Sequence, residues 1–204
     1  MEKRIKWIVC FLLWGLFSLR AGAFEWKTGD IVFQSYAGSQ GFAIQLATGS
    51  VYNHCGVVIV KNGKPYIFEA VEPVKFTSVE EWAKRGNEGK YVVKRIVGAD
   101  SLINKSVEQK MLAWAEKQNG KHYDIFFEWG DEKLYCSELV WKIYGECTGI
   151  ELGKPKALKE YKLDNPVVQL KLKERYGKSI PYDQKMIAPS DIFSNFLLTT
   201  VFSN

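Results

Sequence analysis

One tight-turn signal between two apolar segments places the strongest constraint on the fold. Residues 54–60 (HCGVVIV) are dense in β-branched side chains, residues 65–70 (PYIFEA) are again apolar, and Asn62-Gly63 lies between them. Asn-Gly between two such segments is a strong signal for a two-residue hairpin turn. The segment therefore predicts two antiparallel strands that are joined at Asn62-Gly63.

Further strands and helices are predicted on both sides of this hairpin. Residues 31–34 and 90–97 are typical of strands, whereas residues 106–119 carry apolar side chains at helical spacing and stop before a glycine. Helices are also predicted over residues 39–48, 79–84 and 165–176, and from Cys136 to about Gly149. We expect one compact α+β domain built around an antiparallel sheet.

Residues 1–23 have the pattern of a cleavable secretory signal peptide. Three basic residues come first, a 13-residue apolar run follows from Trp7 to Leu19, and Ala21-Gly22-Ala23 closes the segment. The run is shorter than the roughly 18 residues that a membrane-spanning helix needs. We therefore expect residues 24–204 to form a single domain that is exported, periplasmic or secreted, and not stably inserted in a membrane after cleavage.

The charge balance argues against a nucleic-acid partner. The whole chain has a net charge of +5, but residues 1–23 carry four basic residues and one acidic residue, so the remainder has a net charge of only +2. No basic stripe replaces what is removed. The remaining 181 residues suffice for one sizeable core. The sequence does not predict an oligomeric state.

Cys136 is the candidate nucleophile. It lies in LYCSELVW, where a predicted loop becomes an amphipathic helix. The positive end of a helix dipole favours a thiolate, and the unpaired amides there can hold an oxyanion. The alternative is a small buried hydrophobic residue, the commoner role of a cysteine. Cys147, at the opposite end of the same helix, is expected to be structural.

His54 is the preferred candidate base. Residues 24–204 contain only two histidines, and a thiol nucleophile needs a base. His54 opens an apolar strand beside Gly56, whereas His122 lies in a turn-like segment and remains the alternative. Because successive strand residues point to opposite faces, Cys55 is expected in the core rather than in the site.

Glu69 is the candidate acceptor for the second ring nitrogen of His54. Such an acceptor fixes the tautomer of the imidazole and stabilises the imidazolium. His54 is eight residues before Asn62 and Glu69 is six after Gly63, so a bulge or a stagger is needed to bring them together. Glu72, just beyond the strand, is the rival acid.

Several segments of the chain resemble the circularly permuted papain-like amidases of the NlpC superfamily, in particular the YiiX-like branch. They are TGDIVFQ (28–34), AIQLAT (43–48), NHCG (53–56), FEAV (68–71), YCSELVW (135–141) and LKERYG (172–177). The resemblance implies a permuted papain-like fold, with an antiparallel sheet or half-barrel packed against helices. It also places Cys136, His54 and Glu69 at the positions of the nucleophile, the base and the orienting acid.

The resemblance carries two further implications. Relatives have a tyrosine in a Gly-x-x-Tyr turn ahead of the cysteine, and Tyr123 in Gly120-Lys121-His122-Tyr123 matches it. Tyr123 is thus either a contributor to the oxyanion hole or a packed aromatic residue. Cys55, directly after the histidine, departs from the pattern and leaves open a disulfide with Cys147.

The family's usual chemistry implies hydrolysis of an amide bond through a thioester intermediate, with no metal or organic cofactor. An exported chain has cell-wall and other extracytoplasmic peptides within reach. Two alternatives stay open: a lipid-directed thiol acyltransferase or lipase, and a non-catalytic binding module. An apolar groove beside Cys136 would favour the lipid substrate, whereas a narrow polar cleft would count against it.

Overall fold

The computed structural model describes residues 24–204, so the predicted signal peptide lies outside the described residues. The strands are β1 (Ile31–Tyr36), β2 (His54–Lys61), β3 (Lys64–Glu69), β4 (Lys75–Ser78), β5 (Gly86–Ile96), β6 (His122–Tyr123), β7 (Lys133–Leu134), β8 (Lys156–Ala157), β9 (Lys185–Met186) and β10 (Leu198–Ser203). The helices are α1 (Ser39–Thr48), α2 (Val79–Arg85), α3 (Ala99–Leu102), α4 (Lys105–Gln118), α5 (Cys136–Thr148), α6 (Pro166–Tyr176) and α7 (Pro189–Phe193).

Six strands form one antiparallel sheet in the order β10-β5-β1-β2-β3-β4. The predicted hairpin is confirmed, because β2 pairs with β3 up to Lys61 and Lys64. Asn62 and Gly63 between them have φ angles of 52° and 74°. Positive φ at both central residues is what a tight hairpin turn of this kind requires, and Asn and Gly tolerate it best.

The two faces of the sheet bury two separate apolar clusters, as strand alternation dictates. The larger cluster joins the sheet to α4 and α5, with Phe33 and Val57 facing Leu139 and Ile143. The smaller cluster lies on the opposite face under α2 and is centred on Trp82. The predicted α+β architecture, an antiparallel sheet packed against helices, is confirmed.

Hydrogen bonds fix both halves of α5 relative to the rest of the molecule. The buried Ser137 hydroxyl donates to the Ile187 carbonyl at 2.7 Å, and the Ile187 N–H donates to the Tyr135 hydroxyl at 3.1 Å. Further along the helix, the Tyr144 hydroxyl donates to the Gly29 carbonyl. The first residue of α5, Cys136, is therefore held in place against β2.

Candidate active site

Cys136 is the first residue of α5 and is only 5% exposed. Its position at the helix N-terminus places the thiol beside amides that have no partner within the helix. A cleft of about 420 Å³ opens over it and is lined by His54, Gln40 and Tyr123 as well. The structure thus brings three of the sequence-derived candidates to one cleft.

His54 and Glu69 form a buried hydrogen-bonded pair. The His54 Nε2 and Glu69 Oε2 atoms are 2.7 Å apart, and the Glu69 side chain has no exposure to solvent. Because Nε2 faces the carboxylate, Nδ1 is the ring nitrogen left for the Cys136 side chain. His54 and Cys136 are neighbours that shift each other's pKa.

Gly56 explains how Glu69 reaches His54. The regular β2–β3 register places Glu69 opposite Gly56, two residues along the strand from His54 and on the same face. A Cβ atom at Gly56 would lie 2.6 Å from Cγ2 of Ile67 and 3.3 Å from Cβ of Glu69. Of the bulge and the stagger considered above, the structure contains the stagger, and the missing side chain of glycine makes room for it.

The second oxygen of Glu69 is also occupied. Oε1 accepts a hydrogen bond from the Thr77 hydroxyl at 2.6 Å and forms an ion pair with Nη2 of Arg85. Burial alone raises the pKa of Glu69, but the His54 and Thr77 hydrogen bonds and the Arg85 charge outweigh it, so the pKa is lowered. Sequence analysis did not single out Thr77 or Arg85.

The same contacts favour the charged form of His54. Burial lowers the pKa of this imidazole, yet hydrogen bonds and charge interactions with Cys136 and Glu69 outweigh burial and raise the pKa to about 9. The imidazole is therefore protonated at neutral pH, as a thiolate–imidazolium pair requires.

Cys136 is stabilised as a thiolate by more than His54. The interaction with the neighbouring Cys55 thiol makes the largest contribution, and His54 adds another, so the pKa of Cys136 falls well below its usual value although burial opposes the shift. Burial raises the pKa of Cys55, which keeps that thiol protonated as a donor. Cys55 is fully buried in the core as predicted, but its contact with Cys136 was not foreseen.

Cys147 differs from Cys136 in its position on α5 and in the direction of its pKa shift. It lies near the C-terminal end of α5, and burial raises its pKa to about 11. Cys55, Cys136 and Cys147 are all free thiols, so the disulfide between Cys55 and Cys147 that the sequence left open is not formed.

The alternative base and the rival acid pair with each other. Nδ1 of the exposed His122 is 2.9 Å from Oε1 of Glu72, and the Tyr123 N–H donates to the other oxygen of Glu72 at 2.9 Å. These two bonds, the one from the Tyr123 N–H first, lower the pKa of Glu72. Glu72 lines the rim of the cleft, whereas His54 is the histidine that meets Cys136.

Tyr123 and Gln40 form a second polar group beside Cys136. The Gln40 side-chain amide donates to the Tyr123 hydroxyl oxygen at 3.1 Å. Burial raises the pKa of Tyr123, so its phenol stays protonated. Because the phenol oxygen accepts from Gln40, its own hydrogen is free to point into the cleft. Gln40 lies in the first turn of α1, outside the six segments that carry the resemblance in the sequence, and sequence analysis missed it.

A second pocket adjoins Cys136 and is mainly apolar. Its walls come largely from α1 and α6, and Tyr123 and Cys136 line both this pocket and the cleft. Members with apolar side chains include Ala43, Ile44, Leu158, Val168 and Leu172. A nonpolar group therefore has a place to bind within reach of the thiol.

Comparison with known proteins supports the resemblance seen in the sequence. Residues 25–202 match the sequence model of the family described as "Permuted papain-like amidase enzyme, YaeF/YiiX, C92 family". The chain is 46% identical over 186 residues to YiiX of Escherichia coli (strain K12), and the match covers 91% of each protein. A crystal structure of YiiX from Escherichia coli O157:H7 superposes with a TM-score of 0.83 at 47% identity, covering 87% of this chain and 97% of that one.

That crystal structure is described as one of a metalloprotein. Within residues 24–204 of the present chain, no group of three or more His, Cys, Asp or Glu side chains is placed to hold a metal ion. The described residues therefore do not fit a metal site with three protein ligands, and we derive no chemical step through a metal. No helix in the described part of the chain is both long and apolar enough to cross a membrane.

Proposed function

The chain belongs to the family of permuted papain-like amidases, and from that premise we propose that it is an extracytoplasmic cysteine hydrolase that cleaves an amide bond in a cell-wall or similar peptide. The observation that carries the proposal is the buried line of side chains Cys136, His54 and Glu69 at the N-terminus of α5. In this proposal Cys136 is the nucleophile, His54 the acid and base, and Glu69 the group that orients His54.

The reaction follows from the protonation states of the pair. The Cys136 thiolate attacks the carbonyl carbon of the amide, and the His54 imidazolium gives its proton to the leaving nitrogen. His54, now neutral, then removes a proton from a water molecule that attacks the thioester. The carboxylic acid leaves, and the thiolate and imidazolium are restored.

The oxyanion formed in each step has two candidate sets of donors. The first is the backbone amide at the start of α5, which the helix dipole reinforces. The second is the Tyr123 hydroxyl, whose hydrogen is free because Gln40 occupies its oxygen. Removing one such donor typically lowers kcat about 100- to 1000-fold. If the Tyr123 hydroxyl has this role, Tyr123→Phe is expected to lower kcat by about this factor while substrate binding stays normal.

The proposed location, and with it the proposed peptide substrate, depends on the prediction that residues 1–23 are a signal peptide. Their basic start, apolar run and Ala-x-Ala ending support export and removal of the segment. Intact mass measurement of protein recovered from the extracytoplasmic fraction is expected to give a chain that begins at Phe24. Recovery of the full chain from the cytoplasm would count against export.

A lipid-directed acyl hydrolase or transferase is the second candidate. The apolar pocket between α1 and α6 supports it, because its lining next to Cys136 favours a nonpolar acyl group over a polar one. The two candidates share the nucleophile and the base and differ in what the pocket holds. Leu163→Asp, at a half-buried residue that lines the apolar pocket but not the cleft, is expected to abolish acyl-ester turnover while leaving a small peptide amide substrate largely unaffected.

The first experiment is a brief pulse of a thiol-reactive acyl probe on residues 24–204 at neutral pH, followed by peptide mass spectrometry. Rapid modification at Cys136 alone is expected, and amide and lipid-ester substrates can then be screened. Slow or scattered modification would favour the non-catalytic binding module.

Two cysteine variants control this experiment. Cys136→Ala is expected to abolish rapid labelling, whereas Cys147→Ala is expected to leave it intact because that thiol has a raised pKa. His54→Ala is expected to slow labelling near neutral pH. Equal labelling of the two cysteine variants would refute Cys136 as the nucleophile.

A further inference from the structure

We propose that Arg85, together with Thr77, is a positioning residue that holds the Glu69 carboxylate in the orientation in which Oε2 faces His54. The inference rests on the proposed function, since it concerns the same reaction. It assigns a role to the edge strand β4 and to α2, which packs on the face of the sheet opposite to α5.

A carboxylate that contacts only one partner can rotate about its last bond. In Glu69 this freedom is removed, because Oε2 meets His54 at 2.7 Å while Oε1 meets the Thr77 hydroxyl at 2.6 Å and the Arg85 guanidinium. Glu69 is fully buried, so water cannot substitute for these partners. Every oxygen of the orienting acid therefore has a protein donor.

The charges along this line alternate. The Cys136 thiolate is followed by the His54 imidazolium, then by the Glu69 carboxylate and finally by the Arg85 guanidinium. Without Arg85 the three buried groups would carry a net charge of −1, which a low-dielectric interior disfavours. Arg85 makes the set neutral and so supports the charged form of both Glu69 and Cys136.

The local fold places Arg85 and Thr77 together. Thr77 lies in β4, the Ser78 hydroxyl caps α2 by accepting from the Glu81 N–H at 3.2 Å, and Arg85 is the last residue of that helix. Gly86 follows, where a Cβ atom would lie 2.6 Å from the Gln34 side-chain oxygen. Glycine therefore lets the end of α2 approach the sheet closely enough for Arg85 to reach Glu69.

Contacts of Arg85 support a specific role rather than general surface charge. Its side chain is 23% exposed and its Nε is buried without a hydrogen-bond partner in residues 24–204. A buried N–H without a partner is unfavourable. The ion pair with Glu69 is therefore the contact that compensates for this cost and keeps the Arg85 side chain against the sheet. The neighbouring Lys84 instead pairs with Glu80 at the surface.

The test measures the rate of Cys136 alkylation by iodoacetamide from pH 4 to pH 9.5 in wild type, Arg85→Met, Arg85→Gln and Arg85→Lys. The charged or polar groups around Glu69 are His54, Thr77, Arg85, Cys55 and Cys136, while Lys75, its strand partner, points to Glu81. Loss of the Arg85 cation is expected to move the acid limb, where Cys136 takes up a proton, to higher pH by at least about half a unit. Arg85→Lys keeps a positive charge at this position, so its acid limb is expected to lie at the same pH as in the wild type.

The Thr77 variants and a surface lysine provide controls. Thr77→Val removes the hydroxyl at nearly constant volume and is expected to slow alkylation at neutral pH, whereas Thr77→Ser preserves the donor and the rate. Lys84→Met removes an exposed cation from the same helix and should leave the acid limb in place.

Two results separate this inference from the proposed function. A lower melting temperature in the Arg85 variants with an unmoved acid limb would overturn the positioning role, while wild-type Cys136 labelling would still support the hydrolase. If wild type itself shows no selective labelling of Cys136, the proposed function fails before the variants are compared.

Discussion

Gly56 sets the spacing between His54 and Glu69 because it occupies the strand position between them without a side chain. In Gly56→Ala the new methyl group would meet Cγ2 of Ile67 at 2.6 Å and Cβ of Glu69 at 3.3 Å. We expect the free energy of unfolding to fall by about 1–3 kcal/mol and the neutral-pH alkylation of Cys136 to slow. Denaturant unfolding and the alkylation assay measure the two effects.

A matched control for this change is Gly63→Ala in the hairpin turn. A Cβ atom there meets nothing within 4 Å, but the φ angle of 74° disfavours alanine. Gly63→Ala is therefore expected to destabilise the hairpin while the alkylation rate of the folded protein stays the same. Equal effects of both variants on the rate would contradict the spacing role of Gly56.

Cys55 is expected to influence the site although it is fully buried. Its thiol makes the largest contribution to the lowered pKa of Cys136. In Cys55→Ala the pKa of Cys136 rises, so alkylation at acidic pH slows and the acid limb of the profile moves to higher pH. Cys55→Ser keeps a donor and should move the limb less. An acid limb that is the same in all three proteins would contradict this contact.

At the scale of elements, the start of α5 depends on a buried hydrogen bond from Ser137. Ser137→Ala leaves the Ile187 carbonyl without its donor at 2.7 Å. We expect a loss of about 1–3 kcal/mol of unfolding free energy and slower alkylation of Cys136, because the helix N-terminus is less firmly held. Thermal unfolding tests the first effect, with Ser106→Ala at an exposed position of α4 as the control.

Local sequence was sufficient for the elements that carry their own signals. The Asn62-Gly63 hairpin and the helices α4, α5 and α6 could be predicted because turn residues, helical spacing and caps lie within each segment. β4 and β10 could not, because they are short or weakly patterned and are strands only by virtue of their pairing with β3 and β5.

The residues of the candidate site likewise divide into those that local sequence could predict and those that depend on tertiary packing. His54, Glu69 and Cys136 follow from chemistry, strand order and helix start, so sequence could propose them. Arg85, Thr77 and Gln40 reach the site only through the way α2, β4 and α1 pack, and ordinary surface roles describe those residue types equally well in sequence. The contact of Cys55 with Cys136 escaped notice because alternation indicates the face but not which side chain lies across it.

For the molecule as a whole, β10 covers what would otherwise be an open sheet edge. It pairs with β5 through Leu198 to Ser203, and the ring of Phe202 stacks on Tyr91 at 5.4 Å. Deletion of residues 198–204 would make the 11-residue β5 the edge strand in place of the six-residue β10, and a longer exposed edge pairs more readily with other chains. We expect a lower melting temperature and self-association by light scattering. Phe196→Ser, at a residue that is 89% exposed, should do neither.

The order of the site residues along the chain affects when the site is completed during synthesis. A growing chain presents the histidine and the glutamate long before the ribosome releases Cys136, and the strand that closes the sheet comes last. Proteins fold as they emerge, with early segments available first. Incomplete chains that end before α5 carry the proposed base without the proposed nucleophile, so the proposed mechanism cannot operate in them.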